Sequence, residues 1–171
     1  MTENNALEPS SPAYAGFWRR VLAYLVDMAL IGIPWTAITW FVAPEAFRPG
    51  PDGEPVTMTM IAVVVQVAGV VVWILYKGLL EGGGSGATVG KRIVGLRVRT
   101  ATGEVLGFWC AIYRAWPYWM PSLVMLASAY RGPIFLAVCV VVLISYLFVA
   151  FTPRKQGLHD MMAKCLVVRA S

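Results

Sequence analysis

The chain has 171 residues, 58% of them apolar and 13% charged, with a net charge of +5. Soluble domains average about 45–50% apolar and about 25% charged residues, so this balance excludes an ordinary soluble domain. Three widely spaced cysteines (Cys110, Cys139, Cys165) and one histidine, His159, exclude a disulfide framework and a zinc site.

The apolar excess lies in long blocks, which predict a single-domain, multi-span membrane protein. Residues 1–14 begin "MTENNALEPSSPA", polar and acidic, without the basic start and apolar middle of a signal peptide. They are expected to form a disordered tail. Residues 17–43 form the first predicted span; its 23 residues from Val21 to Ala43 reach roughly 34 Å as a helix, enough for a hydrocarbon core of about 30 Å. Gly32 and Pro34 interrupt it, which reads as a tolerated kink, since no matching second half accompanies it. Residues 44–56, "PEAFRPGPDGEPV", form a loop rich in proline and glycine. Residues 57–80 are the second span, in which Gln66 is the strongly polar side chain of the apolar core.

Residues 81–107 are the next loop. Within it, "GGGSGATVGKR" (82–92) invites a phosphate-loop reading. The template G-x-x-x-x-G-K-[ST] fails at Ser85 and at Arg92, and a span precedes it rather than a strand. It is expected to be a flexible hinge. Residues 93–100 suggest a strand, "ATG" a turn and "EVLGF" the start of a second strand. The tail of residues 153–171 carries "KCLVVRA" (164–170), a β-branched run. A lone strand leaves its backbone unpaired, so loop and tail are expected to join in a small cytoplasmic β-element. Residues 108–130 carry Arg114, Pro117 and Pro121, and fit a kinked span or an interfacial helix with a short span; crossing is expected. Residues 133–152 are a clear last span. The expected fold is all-α and polytopic, with about four transmembrane helices and that small β-element.

Four spans put Arg19, Arg20, Lys77, Lys91, Arg92, Arg97, Arg99, Arg154, Lys155, Lys164 and Arg169 on one side, eleven of the fourteen basic residues, and Arg48 and Arg131 on the other. The positive-inside rule then predicts both termini in the cytoplasm. This explains the basic charge by topology, so no nucleic-acid partner is expected. Trp35, Trp40, Phe41, Trp73, Tyr76, Trp116, Tyr118 and Trp119 are candidates for interfacial aromatic belts.

Charge inside the spans raises the functional question. Arg20 and Asp27 share a helix face, about 10.5 Å apart along the axis, but both side chains lean toward the N-terminus. Direct pairing is therefore disfavoured. Arg20 is expected to snorkel to headgroups. Asp27 needs a partner from elsewhere, with Arg114 the first candidate and Gln66 the second. It serves helix packing, binding of a proton or cation, or contact with another subunit. Asp160, next to His159, is expected to cap a short helix "DMMAK" or to bridge to Lys91 or Arg92; a catalytic His-Asp pair is disfavoured because no nucleophile motif accompanies it.

Three segments, "AGFWRRVLAYLVD" (15–27), "GATVGKRIVGLRV" (86–98) and "RKQGLHDMMAKCLVV" (154–168), resemble the RDD family of small integral membrane proteins. The family's arginine and two aspartates match Arg20, Asp27 and Asp160, and Lys91, Arg92 and Arg97 form a basic cytoplasmic motif within the second segment. Val89 departs from the pattern, which carries proline before the Gly-Lys pair. The resemblance implies a membrane protein of undefined role, with transport suggested and cation/proton exchange proposed for some members. The expected functions are accordingly a small cell-membrane transporter, as a possible homo-oligomer, or a non-transporting adaptor that binds a protein partner or anionic lipid through its basic face. Neither an enzyme nor a cofactor is expected, because no phosphate loop, metal cluster or nucleophile elbow is present.

Overall fold

The computed structural model describes residues 13–47, 59–127 and 133–170. Most of the predicted N-terminal tail, loop residues 48–58 and residues 128–132, including Arg48 and Arg131, lie outside the described residues. The described residues are mainly helical, with one two-stranded sheet.

The first long helix joins α1 (Phe17–Asp27), a π-helical turn (Met28–Gly32) and α2 (Ile33–Val42). The widened turn ends two residues before Pro34, whose missing N–H and bulky ring disturb a regular helix. The helix continues through it, so Gly32 and Pro34 make no break. Thr36 and Thr39 donate their hydroxyls to the carbonyls of Gly32 and Trp35 at 2.8 and 2.9 Å, which satisfies polar groups without water. A 3₁₀ turn, Pro44–Phe47, follows.

Helix α3 (Met60–Gly82) starts at Thr59, whose hydroxyl accepts the Ala62 N–H at 3.2 Å. Its 23 residues span roughly 34 Å. Glycines open its packing faces: a Cβ at Gly69 would meet Trp35, one at Gly78 would meet Phe108, and one at Gly82 would meet the backbone of Gly107 and Phe108. Small residues thus let neighbouring helices approach closely.

Residues 108–127 form two helices, α5 (Phe108–Arg114) and α6 (Trp116–Ala127), broken at Ala115. Pro117 cannot donate a backbone bond at the start of α6, and the Tyr118 N–H turns back three residues to the Ala115 carbonyl at 2.9 Å. Helix α7 (Pro133–Phe151) follows. Among the described residues, three helices are long and apolar enough to cross a membrane: Phe17–Val42, Met60–Gly82 and Pro133–Phe151. Many of their large apolar side chains are exposed, as on a lipid-facing surface.

Two short units of the same design close one end. Helix α4 (Val89–Ile93) leads through a two-residue turn into β1 (Leu96–Thr100), and α8 (Leu158–Met162) leads through an equal turn into β2 (Cys165–Arg169). Each turn ends in a left-handed residue, Gly95 at φ 69° and Lys164 at φ 49°. The strands pair antiparallel with Val98 opposite Val167, so the units are related by a local two-fold through that pair. Leu96, Val98, Cys165 and Val167 form a small core with Ala15, Ala23, Leu106 and Ala111.

The expected β-element is therefore present, with three differences. Residues 89–93 are helix because the Thr88 hydroxyl accepts the Lys91 N–H at 3.3 Å, so the 82–92 run ends in a capped helix and not a hinge. The predicted second strand at "EVLGF" does not form; Leu106 instead turns into the small core. Tyr14, assigned to a disordered tail, bridges to Val168, and the Ala15 N–H donates to Val167 at 2.8 Å.

Helix α4 packs on α1 through Gly90, where a Cβ would meet the Ala23 carbonyl and the Asp27 carboxylate. Gly90→Ala should cost roughly 1–3 kcal/mol by overpacking and lower the thermal midpoint in detergent. Gly84→Ala is the control, since nothing lies within 4 Å there. Equal midpoints for the two variants would mean that α4 is not seated on α1.

Candidate functional site

The apolar helices converge at the sheet end on a set of ionisable side chains. Asp27, Lys77, Glu81 and Asp160 are each exposed by 1% or less. Lys91 and Arg114 are also buried, and the Arg20 side chain is 9% exposed. Such groups are costly away from water unless paired and hydrogen-bonded.

Asp27 ends α1 and faces α3 and α4. Its Oδ1 accepts the Tyr76 hydroxyl at 2.6 Å and the Gly90 N–H at 2.8 Å, and its Oδ2 lies 3.4 Å from Lys77 Nζ. Tyr76 in turn accepts the Val89 N–H at 3.0 Å. The valine that departs from the family pattern thus supplies a donor that a proline would lack. Lys77 also lies 3.5 Å from Glu81 Oε1 and 4.0 Å from the centre of the Tyr118 ring. The ring face attracts the ammonium and offsets part of its lost hydration.

Glu81 and Asp160 are the two junctions. Glu81 Oε1 receives Lys91 Nζ at 2.8 Å, and Oε2 pairs with Arg114. Arg114 reaches across to Asp160, with Nε 2.8 Å and Nη2 2.6 Å from Oδ1. Arg20 pairs with Asp160 Oδ2 and donates from Nε to the Ala15 carbonyl at 3.2 Å. Lys91 and Asp160 occupy the third position of α4 and of α8, so the two-fold places a cation and an anion at equivalent points. Glu81 and Arg114 connect them.

Asp160 caps its helix from that third position, where Oδ2 accepts the Gly157 N–H at 3.1 Å. Burial alone would raise its carboxyl, but the Arg114 and Arg20 guanidiniums outweigh that effect and hold it well below the usual carboxylate range. Burial pushes His159 down to about 3, so at neutral pH its ring is uncharged. Its Nδ1 lies 2.9 Å from the Ser145 hydroxyl, which also accepts the His159 N–H at 3.2 Å. Burial raises the Cys165 thiol to about 11, so it stays protonated beside Asp160.

The structure gathers Arg20, Asp27, Lys91, Arg114 and Asp160 but pairs them differently from the sequence reading. Asp27 meets Tyr76, Lys77 and Gly90, and Arg114 goes to Glu81 and Asp160. Arg20 turns inward to Asp160 and not to headgroups. Asp160 takes Arg20 and Arg114, whereas Lys91 takes Glu81. Arg92 is exposed and bonds Ser85 at 2.7 Å and the Ala87 carbonyl at 3.2 Å; Arg97 is exposed on β1. Gln66 lies ten residues before Tyr76 on α3, about 15 Å along the axis at helical rise. Sequence reasoning missed Tyr76, Glu81 and Ser145 as site residues and used Lys77 only for topology. The available signal was Lys77 and Glu81 four apart at the end of an apolar run. Among the described residues no group of three or more His, Cys, Asp or Glu is placed to hold a metal.

Asp160→Asn keeps the side-chain shape but leaves two guanidiniums facing a neutral amide. It should cost about 3–5 kcal/mol, read as thermal unfolding in detergent at pH 7. Exposed Arg169→Gln should stay within about 0.5 kcal/mol. The wild-type contribution is present above about pH 4 and is lost only as pH falls through the depressed Asp160 value. A melt of Asp160→Asn equal to wild type would show that these pairs do not hold the end together.

A protein described as "Uncharacterized protein YxaI" from Bacillus subtilis (strain 168) is similar to this chain, with 28% identity over 164 residues, covering 90% of this chain and 96% of that protein. No solved structure matches the chain significantly. The model of the RDD family matches residues 14–164, which include Arg20, Asp27, the α4 loop and Asp160. With its apolar helices and this match over nearly the whole length, the chain is a membrane protein that belongs to the RDD family.

Proposed function

We propose that the chain is a small four-crossing protein of the cell membrane, with both termini cytoplasmic, that exchanges protons or monovalent cations at its buried charged end. Chain direction supports the fourth crossing. Helix α3 ends beside the start of α5, where Gly82 meets Phe108. The end of α7 returns to the same side through α8, which touches Arg114 and Arg20. For α7 to descend to that side, α5 and α6 must first climb away from it. Their 20 residues, 108–127, reach about 30 Å, close to a hydrocarbon core. Basic residues at this end, including exposed Arg19, Arg92, Arg97, Arg154, Lys164 and Arg169, support its cytoplasmic side by the positive-inside rule.

The observation that carries the exchange reading is the charge count. Among the described residues, three buried carboxylates (Asp27, Glu81, Asp160) face four cations (Arg20, Lys77, Lys91, Arg114). A purely structural network gains nothing from a surplus buried charge, which costs free energy. Ionisable groups at membrane depth mark ion and proton pathways by default. No enzymatic role is part of this reading.

In proteoliposomes, alkali-cation-driven dissipation of a pH gradient should be measurable and should fall at least roughly tenfold in Asp27→Asn, the change expected from about 1.4 kcal/mol at the site. Undiminished flux in Asp27→Asn would remove its carboxylate charge from the mechanism. Absence of flux in the wild type would remove the exchange reading. The exposed basic side chains favour a second reading, an adaptor that holds a protein partner or anionic lipid. It requires a stoichiometric partner to co-purify in mild detergent.

A further inference from the structure

We propose that Lys91 is the proton-exchanging group of the buried network, taking up and releasing a proton at its ε-amine while Glu81 remains its acceptor. Release breaks one N–H bond, passes the proton to water and leaves a neutral amine that still donates to Glu81. The network then holds three cations against three carboxylates.

Geometry separates Lys91 from the other three cations. Lys77 lies between two carboxylates and over the Tyr118 ring. Arg114 joins Glu81 and Asp160, and Arg20 joins Asp160 and the Ala15 carbonyl; neither guanidinium loses its proton in proteins. Lys91 Nζ has one partner among the described residues, Glu81 Oε1, and shares that oxygen with Lys77. The next residue on its short helix, Arg92, is exposed.

The ionisable groups of the site come from every packed element: Arg20 and Asp27 on α1; Tyr76, Lys77 and Glu81 on α3; Arg114 on α5; Tyr118 on α6; Tyr146 on α7; His159 and Asp160 on α8; Cys165 on β2. His159 and Cys165 stay uncharged near neutrality. Burial lowers the Lys91 ammonium to about 7; Arg114 and Lys77 add to the shift and Glu81 opposes it. The protonated form therefore dominates below that pH and the neutral amine above it. This assignment rests on the exchange reading for its purpose, but the titration can be read without any flux.

The test uses the full chain in lipid nanodiscs with ¹⁵N at the Nζ of its four lysines, Lys77, Lys91, Lys155 and Lys164. Nζ shifts are followed by NMR from about pH 5.5 to 9.5, below the usual lysine midpoint of about 10.4. One signal should titrate with a midpoint near 7. It should vanish in Lys91→Arg, which keeps the charge, and persist in Lys155→Arg and Lys164→Arg. A through-space contact from that Nζ to the Glu81 side-chain carboxyl, expected from the 2.8 Å N–O distance, identifies the signal in wild type should Lys91→Arg not fold. Four lysines without a midpoint in this range, a neutral-range signal that survives Lys91→Arg, or one that touches no Glu81 would each overturn the assignment. Lack of flux in liposomes overturns the exchange reading instead.

Discussion

Charge removed from water must be compensated by other charge, and at one end of this molecule that constraint orders everything else. Asp27, Glu81 and Asp160 come from α1, α3 and α8, and their cations come from α1, α3, α4 and α5. Apart from Lys77 and Glu81 on α3, each of these pairs joins two different elements. Each carboxylate therefore specifies the position of at least two other segments. Removing one partner leaves a buried charge exposed to a low-dielectric surrounding, a penalty larger than the attraction lost.

The N-terminal arm, the α4 loop and the C-terminal tail owe their order to this arrangement and to the sheet beneath it. Two helix–turn–strand units pair through Val98 and Val167. Their third helical residues, Lys91 and Asp160, enter the network with opposite sign. Glu81 and Arg114 lie between them, so the chain Lys91–Glu81–Arg114–Asp160 alternates in charge. Alternation keeps opposite charges adjacent and like charges farther apart, so attraction outweighs repulsion along it. Tyr118 over Lys77, with Trp73 and Tyr146 beside it, closes the network toward the apolar bundle.

Several features were readable from residue patterns because they depend on neighbours in sequence. Long apolar runs mark the spans, and the β-branched runs at 96–100 and 165–169 mark strands. The three motif segments mark the family. The helical character of 89–93 was hidden, because the glycines before it read as flexible and only the Thr88 cap and the seat of Gly90 on α1 override that. The two equal helix–turn–strand units were hidden too, since "VGKRIVGLRVRT" and "LHDMMAKCLVVR" share a conformation and little else.

By itself the sequence determined that this is a membrane protein, because hydropathy is a local sum. It also determined which charged residues stand inside or beside apolar segments, Asp27 and Arg114 among them. Only the tertiary structure decided who meets whom. Arg20 and Asp160 are 140 residues apart, and Arg114 and Glu81 are 33 apart. Partner choice among these buried and half-buried charges depends on distances of a few ångströms, set by how glycines, proline breaks and caps bring helices together. No pattern in a one-dimensional string carries those distances.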